Sequence, residues 1–130
     1  MDITNEDLIK KAFSIIKPVK RKDDFAIGEC GTALLTELGN FYFGVSMGTS
    51  SGIGFCSEQS AIASMVTNGE YRIKKIVAVL EDGTIVPPCG LCREFIYQVD
   101  KNNLETDVII SKDKTIKIKE LLPHPWDENL

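Results

Sequence analysis

Two short stretches hold the residues that can do chemistry: Cys56-Ser57-Glu58 and Cys89-Gly90-Leu91-Cys92. In the second, two thiols stand three apart where an amphipathic pattern begins. On a helical turn such positions share a face, so both sulfurs can meet one ion. A helix start also favours thiolate over thiol, through its unpaired N–H groups and partial positive charge. Cys56 opens another helical pattern in the same manner. Three thiolates converging from two helix starts would form a three-sulfur zinc site with its fourth position open. Structural zinc sites fill all four positions, whereas catalytic ones keep one for water. Glu58 lies on the same first turn as Cys56. It can reach a water on the ion without being a ligand, take its proton and pass that proton to a leaving amine. Arg93, next to Cys92, is placed to donate hydrogen bonds to the sulfurs. That would restore Lewis acidity which three negative ligands remove.

Blander readings stand beside this one. His124 would complete a closed structural zinc site, but Glu58 would then have no task. A redox Cys-x-x-Cys also sits at a helix start, but leaves the Cys56–Glu58 spacing unexplained. Cys30, inside an apolar run, reads as a small core residue.

Regular elements must bring these groups together. Residues 4–17 carry apolar side chains at helical spacing, with Thr4 or Asn5 as cap and Pro18 as stop. Residues 18–24 read as a polar loop, and the basic run 17–22 as a solvated one. Residues 30–36 and 40–47 read as strands of a hairpin around Glu37-Leu38-Gly39. The glycine- and serine-rich segment 48–54 reads as a loop at the rim of a pocket. Residues 56–68 form a helix closed by Asn68-Gly69. Residues 73–80 are almost continuously apolar, which predicts a central, buried strand. Glu81-Asp82-Gly83 turns the chain, and Pro87-Pro88 blocks regular structure before Cys89. Residues 90–99 predict a helix and 107–111 a strand, while 115–118 reads as strand or loop. The order α-β-β-α-β-α-β predicts a three-layer α/β/α sandwich on one mixed sheet.

The 130 residues suit a single domain, 1–130, with one core. Hydrophobic residues make up 43% and charged ones 26%, the balance of a globular chain. The formal charge of -4 argues against general nucleic-acid binding, which needs a basic surface. No apolar run approaches the roughly 20 residues of a membrane span. Residues 1–17 show no basic-then-apolar leader pattern, so a cytoplasmic setting is expected. Thiols stay reduced there, which favours ligands over disulfides.

Cys56-Ser57-Glu58 with Pro88-Cys89-Gly90-Leu91-Cys92-Arg93 resembles the cytidine deaminase family, in its small three-cysteine branch. Thr32-Ala33-Leu34-Leu35-Thr36 is similar to that family's first strand, and Leu121-Leu122-Pro123 to its last-helix motif. The resemblance implies a mixed, about five-stranded sheet and one zinc per chain. It implies a homotetramer whose sites borrow residues from neighbouring subunits. The reaction it implies is hydrolytic deamination at C4 of a cytosine ring, with Glu58 carrying protons to N3 and the departing ammonia. The setting would be nucleoside metabolism and pyrimidine salvage.

One departure bears on substrate. Family members acting on cytidine carry G-x-N-x-E in the strand after the hairpin turn. Here the stretch is Gly44-Val45-Ser46-Met47-Gly48, so Ser46 and Gly48 stand where ribose-binding Asn and Glu are expected. A site that loses such partners loses affinity for the sugar hydroxyls. Ordinary cytidine is therefore in doubt. A cytosine nucleoside with an altered sugar, or another aminated heterocycle such as blasticidin S, is the expected substrate. Gln59 takes the place of a frequent arginine. The remaining candidate contacts are Ser57, Pro87 through its carbonyl, and Trp126 as a stacking surface. The alternative is a zinc-containing nucleoside-binding protein without turnover.

Overall fold

Helix α1 (Asn5–Ser14) begins at a reciprocal cap. Asp7 N–H donates to Thr4 Oγ1 at 3.1 Å, and Thr4 N–H donates to the Asp7 carboxylate at 3.0 Å. In this computed structural model, which describes residues 2–21 and 25–130, the helix stops at Ser14, short of the expected Lys17. The predicted loop after it is corrected in part. Val19–Arg21 form strand β1, antiparallel to Phe25–Ile27. A three-residue strand offers too few alternations to register in a sequence pattern. Residues 22–24 of that predicted loop, and the end of the basic run at Lys22, lie outside the described residues.

Strand β2 (Phe25–Thr36) starts five residues before its predicted boundary and turns through Gly39 into β3 (Phe41–Gly48). Helix α2 (Ser57–Thr67) leads to β4 (Ile73–Leu80). The unpredicted β5 (Ile85–Val86) folds back on β4 just before the two prolines. Then follow α3 (Gly90–Val99), a 3-10 turn (Lys101–Glu105), β6 (Asp107–Ser111), β7 (Lys114–Lys117) and α4 (Ile118–Leu121). The segment 115–118, read as strand or loop, is thus strand as far as Lys117, and Ile118 opens α4. Five main strands run in the order β3-β2-β4-β6-β7, with short β1 and β5 added beside β2 and β4. The β4–β6 pair is parallel and the others antiparallel, so the sheet is mixed. Residues 73–80 hold the central place expected of them.

Period-two alternation sorts the core. Leu34, Ile76 and Val108 pack with Ala61, Ile62, Met65 and Ile96 from α2 and α3. Ala33, Val77, Val79 and Ile109 pack on the other face against Leu8 and Ala12 of α1. That is the three-layer sandwich. Each large buried side chain, such as Ile62 or Ile96, contributes on the order of 2 kcal/mol. Asn103, fully buried, ties the layers together at one end. It accepts from Ile73 N–H at 2.8 Å and donates to the carbonyls of Tyr71 and Ile96 at 2.9 and 3.0 Å. Helix α2 lies so close to β3 that a Cβ on Gly44 would sit 2.3 Å from Ala61 N and 2.6 Å from Ser57 O. Among the described residues, no helix is long and apolar enough to cross a membrane.

Candidate active site

Cys56 is the N-cap of α2, Cys89 the N-cap of α3, and Cys92 lies in the first turn of α3. Their sulfurs all lie within 4.8 Å of one another. Among the described residues no other His, Cys, Asp or Glu joins that group. His124, the fourth ligand of the closed-site reading, is exposed and pairs through Nδ1 with Glu128 at 3.1 Å. All four cysteines are free thiols.

The backbone sets the thiols apart electrically. N–H groups of Cys92 and Leu91 point at the Cys89 sulfur and hold its thiol below the usual range. Burial pushes the Cys92 thiol strongly up, and the nearby charges of Glu58 and Cys56 push it further. Burial also raises Cys56. Thiolates at half-buried Cys56 and buried Cys92 would repel each other without a cation between them. The set therefore suits a thiophilic divalent ion, and three sulfurs at this spacing fit zinc.

Glu58 sits in the first turn of α2 and is only 6% exposed. Its Oε1 accepts from Ser57 Oγ at 3.0 Å, and among the described residues Oε2 has no partner. A narrow crevice beside it is bordered by Ala78 and Pro88. On the outer side of Cys56 a cleft of about 400 Å³ opens, lined by Ser46, Gly48, Thr49, Phe55, Gln59 and Leu91 among others. The 48–54 loop forms part of its wall. Gln59 Oε1 accepts from Cys56 N–H at 3.1 Å, which fixes the backbone of that ligand.

These features have counterparts among known proteins. A blasticidin-S deaminase of Bacillus cereus is 30% identical over 108 residues, 76% of this chain and 77% of that one. The chain belongs to the cytidine/blasticidin-S deaminase family. A probable cytidine deaminase of Dictyostelium discoideum is 40% identical over 68 residues, which span 50% of this chain and 46% of that protein. The crystal structure of cytidine deaminase from Mycobacterium leprae superposes with a TM-score of 0.80 at 25% identity, covering 95% of this chain and all of that one. No protein-family model matches the chain.

Several candidate residues of this deaminase-family chain sit differently from the simplest reading of their positions. Arg93 donates through Nε to Pro88 O at 2.7 Å and through Nη1 to Leu121 O at 3.2 Å. Its guanidinium therefore braces the backbone leading to Cys89, and the expected bonds to sulfur are not among those it makes. The half-buried guanidinium thus spends two of its donors on backbone carbonyls, one of them supplied by the LLP segment. Ser46 Oγ accepts from Cys30 N–H at 3.1 Å, beside the irregular register of β2 and β3. Gly48 ends β3 opposite Ala26. Pro87 lies between β5 and Cys89. Trp126 is 74% exposed and does not line its own chain's cleft. Its backbone N–H is held by Glu94, and neighbouring Asp127 accepts from Tyr97 at 2.7 Å, so the tail lies along α3. Ser57 is fully buried beneath Glu58, in contact with Thr32 and Cys30. Thr32 was invisible to sequence reasoning because 25 residues separate it from Ser57. Cys30 is half-buried against Ser57 rather than in the core proper.

Proposed function

We propose that this chain is a zinc-dependent hydrolytic deaminase of a cytosine nucleoside or nucleoside analogue. One observation carries the reading: three sulfurs gather at two helix starts with a buried carboxylate two residues beyond the helix cap. Cys56, Cys89 and Cys92 would hold the metal. Zinc, when bound there, supplies Lewis acidity that makes water a nucleophile at neutral pH. Glu58 moves the protons. Its Oε2, without a bond among the described residues, takes one proton from the water, delivers it to ring N3, and serves the departing amine with the second. Water and the amino ring thus become the oxo ring and ammonia, and the protons balance. The low exposure of Glu58 keeps competing solvent protons away from this transfer. Carbonyls of Pro87 and Pro88 stand near enough in sequence to Cys89 to meet the amine, although Pro88 O already accepts from Arg93.

The substrate reading follows from the cleft wall. Ser46 already serves the β2 backbone, and Gly48 has no side chain to offer. Among the described residues no carboxylate lines the cleft to hold a sugar diol. A nucleoside analogue with an altered sugar suits such a wall better than cytidine. The likeness to a blasticidin-S deaminase supports the same choice. Exposed Phe55 and Leu91 in the cleft wall, with exposed Ile53 in the adjoining loop, support a homotetramer in which a neighbour covers its mouth. Free thiols throughout the chain support work in a reducing, cytoplasmic compartment.

The test is ammonia release and product mass from zinc-loaded protein offered cytidine, deoxycytidine, cytosine and blasticidin S. Turnover of blasticidin S above cytidine is expected. Glu58→Gln should keep one zinc per chain and lose at least about 100-fold in rate. A Glu58→Gln protein that turns over normally would end this reading. Binding of these compounds without product would favour the alternative of a non-catalytic nucleoside-binding protein.

A further inference from the structure

A line of hydroxyl groups runs behind the carboxylate. Thr32 Oγ1 lies 2.8 Å from Ser57 Oγ, which lies 3.0 Å from Glu58 Oε1 and 3.1 Å from Cys30 Sγ. Thr32 and Ser57 are fully buried. Groups so enclosed are satisfied from within the protein. Each hydroxyl has one proton to give, and an ionised carboxylate can only accept. Ser57 Oγ is in donor geometry toward both Glu58 Oε1 and Cys30 Sγ, with one proton for the two. A carboxylate oxygen is a far stronger acceptor than a neutral sulfur, so the proton goes to Glu58. The serine oxygen is then left to accept, and Thr32 donates to it. The direction of the chain, Thr32 to Ser57 to Glu58, follows from one proton per hydroxyl and from acceptor strength.

We propose that Thr32 and Ser57 are positioning residues for Glu58, an inference that rests on the deaminase reading above. The relay engages Oε1 and so sets the rotation of the carboxylate plane. Oε2 remains as the oxygen that carries the proton. Thr32 stands in β2 between β3 and β4, one of the best-anchored places in the sheet. Rigidity of the sheet is thereby passed through two short bonds to the one group that must meet water and ring nitrogen in turn. Ordering Oε1 this way avoids a rotational search at each proton transfer, the kind of gain that positioning supplies.

The experiment compares zinc-loaded wild type with Ser57→Ala, Thr32→Val and Thr32→Ser. Blasticidin S and cytidine are the probes, and kcat, KM, zinc content and Tm are measured. Crystal structures of wild type and Ser57→Ala are solved alongside. Ser57→Ala should lower kcat about 10- to 100-fold, with KM within about twofold and zinc retained. Thr32→Val, which keeps the volume and removes the donor, should lower kcat by a smaller factor. Thr32→Ser keeps the donor and loses a methyl group, so it should restore kcat while lowering Tm. A merely structural hydroxyl pair predicts the opposite ranking, with Thr32→Val the more benign change. Wild-type kcat in both Ser57→Ala and Thr32→Val would overturn the proposal. Should wild type turn over neither probe, the deaminase reading is what has failed. The crystal structures then decide positioning alone: a rotated Glu58 carboxylate in Ser57→Ala supports it, and an unmoved one overturns it.

Discussion

Replacing Gly44 by alanine tests how helix α2 is seated. The added Cβ would lie 2.3 Å from Ala61 N, 2.6 Å from Ser57 O and 2.6 Å from Ser60 Cβ. Two of these neighbours are backbone, so no rotamer change relieves the overlap. Ordinary contact begins near 3.4 Å, so α2 must retreat from β3 by roughly 1 Å (3.4 less 2.3 or 2.6). Overpacking of that kind costs about 1–3 kcal/mol, which for a chain of this length lowers Tm by roughly 5–15 °C. The same retreat carries Cys56 and Glu58 with it, because both lie at the first turn of α2. A misplacement near 1 Å at a reacting group costs on the order of 100-fold in rate. Thermal unfolding, zinc content and turnover of the best probe substrate provide the assay. Gly90→Ala is the stability control, since a Cβ there meets nothing within 4 Å. Its effect on Tm should be small. Should Gly44→Ala unfold and turn over like wild type, close approach at Gly44 does not position the helix, and the reasoning is wrong.

Other consequences follow from the same structure. Cys92→Ser should drop zinc well below one per chain, as metal analysis would show, and stability should cease to rise with free zinc. Asn103→Ala leaves Ile73 N–H and the carbonyls of Tyr71 and Ile96 without their buried partner. A loss of about 3–5 kcal/mol is expected from urea unfolding, and a loss under 1 kcal/mol would contradict the accounting. Glu70 faces the hydroxyls of Thr36 and Tyr42 and the amide of Asn40, which hold its carboxyl below the ordinary 4.5. Since its folded value is depressed, its stabilisation is present above pH 4.5 and is lost as pH falls through the lower folded value. Glu70→Gln should therefore destabilise at pH 7 and approach wild type in acid. Equal differences in Tm at both pH values would refute this.

Two pieces of the candidate site, Cys56 with Glu58 and Cys89 with Cys92, were legible in sequence because each spacing is local. Cys-x-Glu and Cys-x-x-Cys each act within one helical turn, so the chain fixes their geometry once a helix starts there. The central strand at residues 73–80 was legible for a related reason, since burial on both faces demands an unbroken apolar run. Strands β1 and β5 were not legible, being three and two residues long and made real only by pairing with longer neighbours. The target of Arg93 depended on Leu121, 28 residues away, whose carbonyl is brought up by α4. Ser46 could be seen to lack an amide, but that its hydroxyl serves Cys30 N–H required the β2–β3 register. Thr32, Cys30 and Ser57 meet because α2 crosses back over β2 after the hairpin, a contact between segments 25 residues apart. Local spacing thus marked two pairs, Cys56 with Glu58 and Cys89 with Cys92, and packing of α2 beside α3 brought the three sulfurs within 4.8 Å of one another. Tertiary packing decided how that carboxylate is oriented, because the hydroxyl bonds that orient it join chain segments whose sequence carries no mark of their meeting.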